Sequence, residues 1–274
     1  MKNLTAAGVV ATGISSLSSA KTPGATRQLK KIGLQLYTVR SEMERDFERT
    51  LARVAATGYQ EVEFAGYYER KPAEVKAILA KNGLSAPSTH LDIQSFRNSL
   101  VELLEAAHII GHEYVVCPWL DPSERRTLDD WKHRADEFNR FGETCRKAGI
   151  QFAYHNHDFE FHAIEGKMPY DVLLAATDPT NVHLEMDLFW TVNGGADPAT
   201  YFAKCPGRFA MVHVKDRKTD GTMVDVGSGS IDFSSIFARA EQAGIQHYFV
   251  EEDNTKWPLE SIRHSHEFLS RLRF

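Results

Sequence analysis

From residue 31 onward, short apolar runs alternate with segments of helical period, eight times over, and this alternation constrains the fold more than any other feature. The strand-like runs fall at 32–37, 61–64, within 84–91, and at 114–117, 151–155, 182–187, 209–215 and 247–251. Helical patterns follow at 42–56, 72–80, 100–110, 128–148, 169–176, 197–202, 233–243 and 258–272. Gly58, Gly83, Gly111, Gly149 and Gly244 stop helices, and Pro72 and Pro198 fall in first turns, as a residue that cannot donate and a residue free to turn left-handed should. Eight strand–helix units in about 240 residues predict a single (β/α)8 barrel over 31–274. The competing doubly wound sheet usually carries a glycine fingerprint after its first strand, and Tyr37-Thr38-Val39-Arg40 stands there instead. No internal repeat or interdomain linker interrupts the pattern.

In a barrel the active site gathers at the C-terminal ends of the strands. Four consecutive strands end in Tyr154-His155-Asn156-His157, Glu185-Met186-Asp187, His213-Val214-Lys215-Asp216 and Val250-Glu251-Glu252-Asp253. Side chains alternate faces along a strand, so His155, Asp187, His213 and Glu251 can all face the axis. Imidazole and carboxylate together form the donor set of a divalent metal, and one ion of Mn, Co, Mg or Zn is expected there. His157 is the alternative ligand on the fifth strand. Each residue alone has a plain reading: a strand-end Asp caps the next helix, and a strand-end His is often structural. The remaining strand ends offer sugar contacts: Gln35, Tyr37, Glu63, His90, Trp119 and Trp190. The run Gly227-Ser228-Gly229-Ser230 is either a plain turn or a backbone cradle for phosphate.

A net charge of −5 and the absence of a basic block argue against nucleic acid. Cys117, Cys145 and Cys205 are odd in number and widely spaced, which indicates neither a disulfide framework nor a thiolate metal site. Residues 1–30 read differently: Lys2, a mildly apolar stretch over 4–17, then Ser18-Ser19-Ala20. That pattern predicts an export signal, with a disordered extension as the alternative, and hence a periplasmic protein if the signal is used. The stretch is too short and mild to span a membrane. The sequence leaves the oligomeric state open, a homo-oligomer included.

These residues resemble the xylose isomerase-like barrels, which include sugar phosphate isomerases and epimerases, inosose dehydratases and type-2 AP endonucleases. The resemblance runs over about 31–274 and is carried by Tyr154-His155-Asn156-His157-Asp158-Phe159-Glu160-Phe161, Glu185-Met186-Asp187-Leu188-Phe189-Trp190, His213-Val214-Lys215-Asp216, Gly227-Ser228-Gly229-Ser230-Ile231-Asp232-Phe233 and Gly33-Leu34-Gln35-Leu36-Tyr37-Thr38-Val39-Arg40. It implies a metal held by strands five to eight, with Asp187, His213 and Glu251 at matching positions. The strand-five position is usually Glu in isomerizing relatives and is His155 here. Ketose epimerases of the family use two metal-bound glutamates on opposite faces of the sugar, and only Glu251 of that pair is present.

The chemistry so implied is proton abstraction next to a carbonyl through an enediolate, with Glu251, His157, Lys215 and Glu185 as candidate proton carriers. A metal beside Lys215 would lower its pKa; a salt bridge to Asp216 or a neighbour is the alternative. The leading expectation is a metal-dependent sugar isomerase or epimerase. The alternative is a lyase or dehydratase acting on a keto-sugar, inosose or 3-keto-glycoside. A DNA-repair nuclease would want more ligands and a basic face, and a non-catalytic sugar-binding barrel would show no turnover.

Overall fold

A computed structural model of the chain describes Met1 and residues 27–274. Eight parallel strands close a barrel: β1 (Gly33–Gln35), β2 (Glu61–Phe64), β3 (Ser85–His90), β4 (Tyr114–Cys117), β5 (Gln151–His155), β6 (Val182–Asp187), β7 (Phe209–Val214) and β8 (His247–Val250). Neighbours in sequence are neighbours in the barrel, and β1 closes it against β8. Helices cross between successive strands, as parallel pairing requires. The expected export segment lies outside the described residues apart from Met1 and 27–30. Of these, Arg27 exchanges backbone hydrogen bonds with Phe274, at 3.0 and 3.1 Å. No described helix is long and apolar enough to cross a membrane.

Outward-facing strand residues such as Leu34, Val62, Phe152, Leu184 and Val212 are buried under the helices in one large core. A smaller apolar cluster fills the barrel itself: Tyr114, Val116, Ala153, Ala210, Met211 and Phe249. At the closing seam a Cβ on Gly33 would meet the Phe249 ring at 2.5 Å, so only glycine lets β1 approach β8 there. Beneath the apolar layer, His247 and Lys31 both bond Glu61, at 2.9 and 2.8 Å. Above it lies the polar end of the barrel.

The elements depart from expectation where a side chain redirects the backbone. The first strand stops at Gln35, whose side-chain oxygen accepts from the Tyr37 N–H (3.0 Å) and starts the 3-10 turn Leu36–Val39. The helix expected over 42–56 breaks at Asp46, which turns to φ −160° and caps the second piece through the Arg49 N–H at 3.0 Å. The pattern over 233–243 resolves into Phe233–Phe237 and Ala240–Ala243. Two helices escape the sequence reading, Ile93–Asn98 and Leu188–Asn193, and both are short and begin at a capping Asp.

Candidate active site

Four buried residues meet at the rim of β5–β8. His155 ends β5, Asp187 ends β6, His213 lies on β7, and Glu251 follows β8 by one residue. One donor atom from each lies within 4.8 Å of all the others. The backbone sets each donor. His155 Nδ1 is 3.2 Å from the Pro118 carbonyl, so that nitrogen carries the proton and Nε2 keeps its lone pair. Asp187 meets its capping reading and still offers one oxygen to the cluster. Its Oδ1 caps the helix Leu188–Asn193 by accepting from the Trp190 N–H at 2.8 Å, while Oδ2 faces inward, 3.4 Å from His155 Nε2. Asn156 ties the two strand ends by accepting from the Asp187 N–H and donating to Thr191 Oγ1. His155 Nε2 is buried with no hydrogen bond, and Asp187 Oδ2 is buried with an ion pair to Lys215 as its support. An unpartnered imidazole nitrogen and an inward carboxylate oxygen facing a histidine and a glutamate suit a divalent cation.

Lys215 stands over the same oxygens. Its ammonium is 2.7 Å from Glu251 Oε2 and 3.0 Å from both Asp187 Oδ2 and Asp253 Oδ2. Burial disfavours the charge, but Asp187, Glu251 and Asp253 overcome it and hold the ammonium well above the usual lysine range. The salt bridge expected as the alternative for Lys215 thus runs to these three carboxylates rather than to Asp216. Glu251 is likewise held ionised against its burial by Lys215 and His213. Asp253 moves the other way: burial and the Glu251 charge raise it to about 6.

A second tier lies directly below. His213 contacts Glu251 through Nδ1 (2.7 Å) and Glu63 through Nε2 (2.7 Å). Gln35 and Ser88 both donate to Glu63, at 2.7 and 2.5 Å. His90 sits between Glu63 (3.2 Å) and Glu185 (2.8 Å); against its burial, these carboxylates raise it to about 9. Gln35, Glu63 and Glu185 are fully buried and do not line the cleft above. The structure thus puts these three, two expected to touch sugar and one to carry protons, in the floor of the site.

The cleft has a volume of about 670 Å³, within the range of small-molecule sites. His155, His157, Lys215 and Glu251 line it, with Tyr37, His90 and Trp119 from the expected sugar contacts. Trp190 lies behind, its ring 5.4 Å from that of His157. Burial, with His155 and Lys215 nearby, drives His157 down to about 2, so it is a neutral imidazole. Sequence reasoning missed Arg40, Tyr67 and Asp253, which also line the cleft; none ends a strand. It also missed Glu160, which accepts from the Tyr154 hydroxyl (2.5 Å) and the His157 N–H (2.9 Å) and so fixes the strand-five turn. Burial raises Glu160 to about 8. A lone Glu between Phe159 and Phe161 was its only signal.

The glycine-serine loop proves to be a turn built around an internal anion. The Gly227, Gly229 and Ile231 N–H groups all donate to the Asp216 carboxylate, at 2.8–3.2 Å. The N–H groups that a phosphate would need are taken.

A closed eight-stranded parallel barrel with its polar cluster at the rim of β5–β8 meets the family description "xylose isomerase-like TIM barrel", whose sequence profile matches residues 51–272. The chain belongs to the xylose isomerase-like TIM-barrel family. Within it, the chain is 27% identical over 248 residues to an inosose dehydratase of Geobacillus kaustophilus, covering 75% of this chain and 79% of that relative. A sugar phosphate isomerase/epimerase from Parabacteroides distasonis superposes with a TM-score of 0.75 at 30% identity, over 93% of this chain and 96% of that one. An IolI protein with a bound zinc atom superposes at 0.69 with 15% identity, over 86% and 95%, a likeness of fold alone. The xylose isomerase-like relatives of this chain thus include both dehydratases and isomerase/epimerases.

Proposed function

We propose that the protein is a divalent-metal-dependent carbon–oxygen lyase. Its substrate would be a keto-cyclitol or keto-sugar that loses water, or a 3-keto-glycoside that loses its aglycone. The observation that carries this reading is the asymmetry of the cleft. One ionised carboxylate, Glu251, lies 2.7 Å from an ammonium, Lys215, and the strand-five position holds the imidazole of His155. Two-base epimerization needs a proton acceptor on each side of one carbon. His155 cannot serve as the second, because Nδ1 is bonded to Pro118 and Nε2 points into the donor cluster. Elimination asks for one base and one acid, which is what the cleft offers. The similarity to inosose dehydratases supports the same choice.

A divalent cation held by His155, Asp187, His213 and Glu251 would supply Lewis-acid stabilisation of the carbonyl oxygen as charge develops on it. The chain's own groups move the protons. Glu251 Oε2 is engaged by His213 and Lys215, so Oε1 accepts the proton from the carbon beside the carbonyl. Lys215 gives a proton to the departing hydroxyl or alkoxide, and Asp253, 3.0 Å away and titrating near 6, restores it. One C–H and one C–O bond break, one C=C bond forms, and water or the alcohol leaves with the proton. The exposed faces of Tyr37 and Trp119 would stack on the sugar ring.

The test is to incubate metal-loaded protein with inosose, keto-sugars and 3-keto-glycosides in D₂O and follow the products by NMR. Loss of water or aglycone with a new enone signal is expected. Deuterium next to the carbonyl on an intact skeleton would overturn the lyase reading in favour of isomerization or epimerization through an enediolate. That second reading draws on the 30% identity to a sugar phosphate isomerase/epimerase.

A further inference from the structure

The floor of the site contains a carboxylate that does not itself line the cleft. Glu63 is fully buried on β2, across the barrel from β7. All of its hydrogen-bonding capacity is spent. Ser88 Oγ donates to Oε1; Gln35 Nε2, His213 Nε2 and His90 Nε2 crowd Oε2 at 2.7, 2.7 and 3.2 Å. A carboxylate pinned by donors from β1, β3 and β7 cannot rotate. Its Oε2 is therefore a fixed acceptor, and His213 Nε2 must carry a hydrogen to face it, since a bare nitrogen there would set lone pair against lone pair; Nδ1, 2.7 Å from Glu251 Oε2, is the nitrogen whose hydrogen a cation beside Glu251 would displace. The His213 ring is also held from the side, stacked on His90 at 5.2 Å and 13°.

We propose that Glu63 is the positioning residue of the metal site: it fixes His213 in the orientation and tautomer that present Nδ1, and only Nδ1, to the cation beside Glu251. This rests on the reading of His155, Asp187, His213 and Glu251 as a metal site. Imidazole ligands whose second nitrogen donates to a carboxylate are oriented and made more basic by it, and loss of such a partner typically weakens metal binding by roughly 10–100-fold. Glu63 differs from a residue that merely supports the barrel in one measurable way: it decides which nitrogen of His213 holds the metal.

The experiment compares wild type, Glu63→Gln and Glu63→Ala. Zn²⁺ and Mn²⁺ affinities are measured by calorimetry, and the His213 nitrogens are followed by ¹⁵N NMR of the zinc-loaded protein. Far-ultraviolet circular dichroism and urea midpoints track the fold. In wild type, Nε2 should appear protonated and Nδ1 metal-bound. Glu63→Gln keeps an acceptor of the same shape and should bind metal about 10-fold more weakly; Glu63→Ala should lose about 100-fold and mix the two tautomers. If Glu63→Ala fails to fold, the near-isosteric Glu63→Gln still decides. Wild-type affinity and an unchanged His213 tautomer in folded Glu63→Gln would overturn the inference while leaving the metal site intact. A wild-type protein that binds neither metal would overturn the metal site itself, and the inference with it.

Discussion

Lys215 and a divalent cation would draw on the same two oxygens, Asp187 Oδ2 and Glu251 Oε2, and Lys215→Met measures that competition. In the absence of metal the substitution leaves two buried carboxylates and the half-buried Asp253 without their 2.7–3.0 Å partner. At an effective dielectric of about 20, each contact has a raw Coulomb energy of roughly 5–6 kcal/mol. The desolvation of the ammonium opposes this, and Asp253 can take up a proton readily because it already titrates near 6. The net loss should fall in the range for breaking a buried ion pair, about 3–5 kcal/mol. With excess Mn²⁺ a cation pairs the same oxygens without a rival, and its affinity should rise about 10–100-fold. By linkage the stability loss then shrinks by about 1.4–2.8 kcal/mol, the same factor expressed as free energy. Urea unfolding with EDTA and with Mn²⁺, beside calorimetric titration of the metal, reads both quantities. An equal stability loss under the two conditions, or an unchanged metal affinity, would refute the shared-oxygen argument.

Three more outcomes are expected. Asp187→Asn keeps an oxygen to accept from the Trp190 N–H but loses the charged donor and its pairing with the Lys215 ammonium, so metal affinity should drop at least about 100-fold and the metal-free protein should lose part of the ~3–5 kcal/mol of a buried ion pair; Asp187→Ala should lose a further ~1 kcal/mol of helix capping in the same urea assay. Buried His112, 2.6 Å from the Ala86 carbonyl and 2.9 Å from the Tyr67 hydroxyl, is lowered to about 4, chiefly by burial. Its folded pKa lies below the unfolded value near 6.5, so its contribution is full above about pH 6.5 and is lost as pH falls toward 4, by about 3 kcal/mol; His112→Asn should flatten that part of the stability–pH curve. Gly33→Ala should cost about 1–3 kcal/mol by forcing a methyl against Phe249 at the barrel seam, and an unchanged melting temperature would contradict the close approach.

The barrel was legible because strand and helix periods alternate cleanly and glycines mark where helices stop. Its local breaks were not. Asp46 and Gln35 each redirect the chain with one side-chain hydrogen bond, which leaves no trace in periodicity. The grouping of His155, Asp187, His213 and Glu251 followed from strand ends and side-chain alternation. What sequence could not give was height. Glu63 and Glu185 alternate inward as correctly as Asp187 does, but staggered registers, with irregularities in the β2–β3 and β6–β7 pairings, set them one tier lower. The cleft residues Tyr67 and Asp253 belong to loops, where no period operates, and Arg40 opens the short helix Arg40–Arg45, too brief to show one. The glycine-serine loop was ambiguous because its anion, Asp216, comes from a residue far enough back in the chain to look unrelated.

The β1–β8 seam also dictates an order of events. Gly33 pairs with Phe249, roughly 200 residues later, so the barrel cannot shut until nearly the whole chain has left the ribosome. Until then β1 waits as an unpaired edge, the kind of surface that invites association with other chains. The rim cluster comes from the late strands β5–β8, whereas Glu63 and His90 beneath it come from the early strands β2 and β3. A nascent chain could gather the upper donors without their floor, but the two tiers meet only on closure. On the proposed metal reading, capture with native affinity would therefore report on the finished barrel, and a half-made one should hold an ion loosely enough to give it back.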